Sequence, residues 1–399
     1  MNQYSLMAAL LLTGFLANAE ASFPADGIIW KNNTEEQWLA WSGELRLDAG
    51  RFTKGKPLGS RNSVFLREFC VNFHGELSPD WAYQLGGSFN QDDKDWGDAL
   101  IKYQGMPNTS VSLGRLAAPF TLGGPTANSD WSPFFESSLL FQAFSGGAGL
   151  GLKAKHAFSQ GMVSLAAIRP FQEAGYSGTL YGHPRIKYAL RTTLAPILEE
   201  GKVWHLGFSA LTQKLRALDK TGSLLNDPTL SIKTKTEIQT RNIDDVLSLK
   251  NKIQGKKYSQ AGLETGLLIG PLHAILEHAR VWITRPCDQL QFYATSLELG
   301  YLLNKEGREY NVSEGNFEKI KGSAKDTWEV AARYSTIHLN NKNVQGGKGD
   351  SVTLALSYFF NSHLKISSNY TRGRFATVDQ EPSSKQPLDL IGLRLQYTW

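Results

Sequence analysis

Ten basic side chains fall on the polar phase of segments in which apolar and polar residues alternate: Arg46, Lys102, Lys153, Lys155, Arg185, Lys187, Arg191, Arg333, Lys365 and Arg394. Cations repeated along one wall can hold an anion loosely at successive sites, which favours entry without trapping it. The same phase carries Glu44, Asp48, Glu68, Glu76, Glu264, Glu298 and Glu329, so the row is mixed, with a small basic excess. Catalytic sets are harder to find. The histidines are scattered, and the spacing of His273 and His278 suits neither a strand face nor a zinc-binding helix. GxSxG, CxxC and phosphate-loop motifs are absent. An inward pair, Ser209 with His205, is all that a hydrolase reading could use. The expectation is a protein that is not an enzyme and uses no cofactor or metal.

The elements that must position these residues read as strands. Trp41, Gly43, Leu45, Leu47 and Ala49 face one way, while Glu44, Arg46 and Asp48 face the other. The closing stretch does the same: Ile391, Leu393, Leu395, Tyr397 and Trp399 oppose Gly392, Arg394, Gln396 and Thr398. A strand ending on an exposed Trp makes little sense in water, but a barrel in a membrane can place that ring at the interface. Sixteen such segments can be traced, with turns that are alternately short and longer. Ser78-Pro79-Asp80 and Asn361-Ser362 then fall at the periplasmic end with both termini, and 304–325 is an unusually long connection there. Between strands, 116–147 reads as a constriction loop and 213–257 as a long basic loop. Parity is ambiguous from His273 to Ile283.

Composition agrees. A 399-residue chain at 41% hydrophobic content and a mean hydropathy of −0.30 is not a helical membrane protein. A net charge of +5 does not suggest nucleic acid as a partner, and two cysteines, Cys70 and Cys287, form no disulfide framework. Residues 1–19 read as a signal peptide, with cleavage after Ala19 or else Ala21. Residues 20–39 are expected to be an N-terminal periplasmic segment and 40–399 the barrel.

Several stretches resemble one family. Asp98-Ala99-Leu100-Ile101-Lys102-Tyr103 is similar to the D-A-Y-I-K-Y strand of the phosphate-selective porin O and P family. Residues 114–120, with Ala118-Pro119-Phe120, resemble the start of its third loop. The most specific stretch is 301–335. There LLNKEGREY (302–310) and Gly315-Asn316-Phe317 resemble F-L-T-G-E-x-R-x-Y and G-x-F, and WEVAARYS (328–335) resembles W-E-L-A-A-R-Y-S. GLRLQ (392–396) looks like the family's ending.

The resemblance covers nearly the whole mature chain. It implies an all-β, transmembrane antiparallel barrel of sixteen strands with infolded loops, in the Gram-negative outer membrane and usually homotrimeric. Small anions are the implied solutes, with phosphate selected by some members. Leu395, Tyr397 and Trp399 resemble the signature read by the barrel-assembly machinery, with Trp in place of the more usual Phe. Outer-membrane lipid and lipopolysaccharide complete the expected partners.

One departure stands out. Residues 116–152 contain no Lys or Arg, only Asp130 and Glu136, so a constriction there lacks the guanidinium donors that suit a dehydrated phosphate. The 213–257 loop, with ten Lys/Arg against five Asp/Glu, is where such donors would come from if it folded inwards. The expected function is a water-filled channel for passive diffusion of small solutes, anion-preferring, with phosphate or polyphosphate as the narrower reading. The alternatives are a surface adhesin or ligand-binding barrel with an incidental pore, an outer-membrane hydrolase, and a secreted β-sandwich.

Overall fold

The computed structural model describes residues 20–22, 28–32, 36–55, 61–89, 94–123, 132–170, 186–215, 217–218, 224–225, 229–241, 243–249, 253–303, 307–322, 324–376 and 386–399. The proposed signal peptide and Arg185 lie outside the described residues. Strands β1 Trp38–Lys54, β2 Ser63–Ser78, β3 Trp81–Phe89, β4 Lys94–Met106 and β5 Thr109–Ala117 precede a short helix, α1 Leu139–Phe144. Then come β6 Ala148–Phe158, β7 Gly161–Pro170, β8 Lys187–Glu199 and β9 Lys202–Lys214. After the basic loop run β10 Lys257–Ile269, β11 Leu272–Thr284 and β12 Gln289–Leu303. The series ends with β13 Thr327–Asn341, β14 Val344–Phe359, β15 Leu364–Ala376 and β16 Gln386–Thr398. Each pairs antiparallel with its sequence neighbour, and β16 pairs with β1, so the sixteen strands close on themselves.

Burial along these strands is the reverse of a water-soluble sheet. On β13 the apolar Trp328, Val330 and Tyr334 are 42%, 42% and 47% exposed, while Glu329, Arg333 and Ser335 are buried. Leu263 and Leu165 on β10 and β7 and Leu354 on β14 are likewise exposed beside buried Glu264, Ser164 and Thr353. An apolar face turned outwards and a polar face turned inwards fits a sheet solvated by lipid. Closure follows from the same solvent. A hydrocarbon phase offers no partner to a free N–H or C=O, so an open edge is not tolerated.

The seam is made by the last residue as much as by the last strand. The ladder from Asp389 opposite Lys54 to Thr398 opposite Glu44 is extended by reciprocal bonds between Gly43 and Trp399, at 3.0 and 3.1 Å. The Trp399 ring lies against Phe69, Tyr397 and Trp41 at 5.8, 6.0 and 6.5 Å between centroids. Gly43 is required there, because a Cβ would sit 2.1 Å from the indole. Beyond the end of β16, a short strand Ile28–Lys31 takes over pairing with Trp38–Trp41 and covers the β1 edge.

The alternation within β11 resolves as His273, Ile275, Glu277, Ala279, Val281 and Ile283 inward and Leu276, His278 and Arg280 outward. Its parity is hard to read from sequence because the upper inward half is itself apolar.

Substituting Gly43 by Leu should abolish the seam. The expected result is loss of the heat-modifiable, fast-migrating band on a denaturing gel; an unaltered band would contradict this role of Trp399.

Candidate functional site

Three segments fold into the lumen and engage the inward charges. Residues 132–136, preceding α1, are clamped from several strands. Arg394 donates to both Asp48 oxygens at 2.7 Å and to the Phe135 carbonyl at 2.8 Å, with its guanidinium 4.4 Å from the Phe135 ring centroid. Arg333 pairs with Glu298 at 2.8 Å, donates to the Glu136 carbonyl at 2.7 Å and covers the Phe134 ring. Lys365 donates to the Ser132 carbonyl at 3.1 Å. Arg67 grips the Glu136 carboxylate bidentately at 2.9 and 2.8 Å. Burial alone would push the Glu136 carboxyl up, but the guanidiniums of Arg67 and Arg394 hold it below its ordinary value.

The basic 213–257 loop also folds inwards, and its described part brings a carboxylate and apolar side chains to the interior. Glu237 accepts from the Thr353 hydroxyl at 2.7 Å, from the Ser335 hydroxyl and from the Leu139 amide. Ile232, Ile238, Leu247, Leu249 and Ile253 join Phe120, Phe135, Leu139, Leu140 and Phe144 in one core. That core packs on inward Val281 and Ile283 of β11, Leu290 and Phe292 of β12, and Ile337 and Leu339 of β13. Part of the wall is therefore apolar because loops, not water, cover it.

From the short-turn end, the 304–325 connection forms a hairpin of Arg308–Asn311 and Asn316–Ile320 that enters the lumen. Phe317 packs with Leu122, Ala195, Val203, Leu268 and Ile275, over Gly266, where a Cβ would lie 2.6 Å from its ring. Arg308 pairs with buried Glu329, and the Tyr310 hydroxyl meets His205 Nδ1 at 2.7 Å. Burial pushes the Tyr310 hydroxyl up to about 12, so it stays protonated. At the tip, Arg191 holds Glu264 at 2.7 Å and donates to the Glu314 and Gly315 carbonyls at 3.1 and 2.7 Å. The Glu314 carboxylate pairs with Lys155 on β6.

The predicted basic residues thus divide. Arg46 is bound by Glu44 and Glu68, Lys187 donates to the Gly146 carbonyl, and Arg191, Arg333, Lys365 and Arg394 anchor infolded segments. Lys102 on β4 and Lys153 on β6 remain. They lie opposite Ser112 of β5 on either side of it, about 10 Å apart at sheet spacing. Neither makes a hydrogen bond or ion pair with a described residue. Ser110, Lys155 and Ser164 form the next inward row.

Sequence reasoning missed Arg67 because a bulge opposite Arg46 and Leu47 adds a residue to β2 and turns it inwards beside Glu68. Glu237, Arg308, Tyr310 and Phe317 were missed as wall partners because loop residues carry no strand phase. The hydrolase pair does not assemble. His205 is bound to Tyr310 and to Glu264 at 3.1 Å, and the Ser209 hydroxyl accepts from the Thr121 amide.

The family model for phosphate-selective porin O and P matches residues 40–399. Porin O of Pseudomonas aeruginosa is 24% identical over 398 residues, covering 90% of this chain and 87% of the relative. OprB of Pseudomonas putida superposes with a TM-score of 0.56 at 9% identity, over 95% of this chain and all (100%) of its own. The trimer form of OmpT from Vibrio cholerae, an outer-membrane protein, gives 0.53 at 12% identity over 91% and 100%.

Two outcomes follow from the anchoring. Phe317→Ala removes a buried ring, typically about 3–5 kcal/mol, and should undock the hairpin, raising single-channel conductance; an unchanged conductance would count against a docked hairpin. Because the folded Glu136 pKa is depressed, its stabilising pair with Arg67 is present above the ordinary Glu pKa of about 4.3 and lost as pH falls through the lower folded value. Conductance should therefore hold steady from pH 7 to 5 and change only in more acid solution.

Proposed function

Because the chain belongs to the phosphate-selective porin O and P family, and is by that membership a porin of the Gram-negative outer membrane and not an enzyme, we propose that it forms a water-filled, anion-preferring channel for passive diffusion of small solutes. The observation that carries the preference is the pair Lys102 and Lys153, two inward cations without a bonded partner beside a row of serine hydroxyls. The described infolded segments bond to inward residues of β8–β16 and of β1 and β2, cover the upper part of β7 and meet β6 at Lys155, which leaves the path along β4–β6, past Lys102, Lys153 and Lys155. Cations spaced by a strand or two and interleaved with hydroxyls draw an anion in while leaving it mobile. Segment 116–147 constricts this path without supplying a basic side chain of its own.

Phosphate or polyphosphate is the narrower solute class, supported by the family description, while a wall of ammonium groups in place of guanidinium forks favours a loosely held anion over a dehydrated, bidentately held one. Glu314 tempers the preference by neutralising Lys155. The trimer form of the Vibrio cholerae neighbour supports a homotrimer, and outward Leu395, Tyr397 and Trp399 suit the role of assembly signal. Residues 20–39 would then lie on the periplasmic side, after a cleaved signal peptide.

Reversal potentials in planar bilayers under a KCl gradient test the reading. The wild type should favour chloride, Lys102→Gln/Lys153→Gln should lower that preference severalfold, and Glu314→Gln should raise it. A cation-preferring wild type would refute the proposal. Phosphate titrated in chloride should reduce conductance at millimolar levels if the narrower reading is right; conductance that phosphate leaves unaltered would restrict the channel to general anions.

A further inference from the structure

The outward face, which solute passage does not use, is not uniformly apolar. On β13 Trp328, Val330, Ala332 and Tyr334 give way to Thr336 and His338. Neighbouring strands do the same: Leu276 is followed by His278 and Arg280 on β11, and Tyr370 by Arg372 and Arg374 on β15. Pairing sets Arg280, Tyr293, His338 and Lys348 side by side in one row. His278, Thr295, Thr336, Asp350 and Arg374 form the next. At ~3.3 Å per residue and ~40° of tilt, His338 lies about 25 Å along the barrel axis from Trp328, the height of an outer-membrane apolar band. The patch therefore sits at the band's upper edge, on the long-loop side, where the outer leaflet's head groups begin. Arg280 and Arg372 start lower, but their stems are long enough to reach that level.

The charges here want an anion. Arg280 and Arg374 are exposed and Lys348 is half-buried, and none of the three bonds to or pairs with a described residue. The carboxylates nearby are already engaged: Asp389 with Arg372 at 3.1 Å, and Asp350 with a partner of its own. Rigid polar rings fill the space between the cations. Tyr293 stacks on His338 at 5.1 Å and 2° between planes, and His278 bonds to the Thr295 hydroxyl at 2.9 Å. A second copy of the chain is a poor complement, since Asp350 and Asp389 are the described outward carboxylates at this height and both are occupied.

We propose that the outward patch Arg280–Tyr293–His338–Lys348 with Arg374 binds the phosphorylated head group of a lipopolysaccharide molecule in the outer leaflet. Arg280 and Arg374 give charge-assisted hydrogen bonds to phosphate oxygens, Lys348 adds a point charge, and the stacked Tyr293–His338 pair presents polar edges to the sugar. The site lies on the opposite side of the wall from the solute path and stands or falls independently of anion selectivity.

The test refolds the full mature protein in detergent and measures retained lipid by native mass spectrometry. Bis-phosphorylated lipid A is compared with the same lipid stripped of its phosphates. The wild type should retain the phosphorylated form at least tenfold better. The variant R280S/K348S/R374S, checked for heat-modifiable migration, should lose that discrimination and keep its oligomeric state. Equal retention of the two lipids by the wild type would overturn the proposal, and needs no variant to fold. A variant that discriminates as before would overturn it too. So would a variant whose oligomer dissociates with lipid retention unchanged, which would make the patch a contact between copies.

Discussion

The hydrocarbon core of a membrane cannot hydrogen-bond, and that constraint is felt at every level of this structure. Each strand must find its partners in the next, so the ladder closes through β16 and β1, with Trp399 bonding to Gly43 where the strand itself has ended. The apolar phase then faces outwards, and every charged residue of the opposite phase is turned into the lumen. Had the interior stayed a wide water-filled tube, those charges would be solvated and largely idle. Most of the described ones are instead buried, because segments from both ends of the barrel fold in, and burial obliges them to pair.

The result is a lumen divided into a packed part and an unpacked part. Arginines suit the packed part because one planar fork can hold a carboxylate and still donate to a loop carbonyl. Arg394 does so between Asp48 and Phe135, Arg333 between Glu298 and Glu136, and Arg191 between Glu264 and the hairpin tip. In the other part the inward cations are lysines: Lys102 and Lys153 flank Ser112 on β5, and no described loop residue bonds to them. Residues that look equivalent as a basic row in sequence therefore divide by chemistry into anchors and wall charges. Most inward basic groups hold the constriction in place, and few are left to meet a solute.

Strand number, phase and closure are legible in the sequence because lipid enforces a strict two-residue period from Leu45 to Tyr397. The legible part ends where that period is broken or doubled. A single bulge brings Arg67 inwards beside Glu68, and no local pattern announces it. On β11 the pattern inverts half-way: Leu276 faces lipid opposite inward Glu277, but higher up His278 and Arg280 face out while Val281 and Ile283 join the loop core around Leu249 and Phe292, so alternation cannot tell the faces apart. The partners of Arg333 and Arg394 lie some 197 and 259 residues away in sequence, in a loop with no phase of its own. The 304–325 connection could be flagged as too long for a periplasmic turn, yet only tertiary packing of Phe317 over Gly266 reveals where its length goes.

The central claim is that solutes pass along β4–β6 while the wall around β13 lies behind the loops. With Cys70 and Cys287 replaced by serine, single cysteines at Lys153 and Ser335 can be challenged with small charged thiol reagents in intact outer membranes. The account predicts rapid modification at position 153, where the wall is half-exposed and Lys102 and Lys155 remain, faster for an anionic sulfonate reagent than for a cationic one, and strong protection at position 335, where Ser335 is buried against Glu237. Equal rates at the two positions, or a faster cationic reagent at position 153, would contradict it.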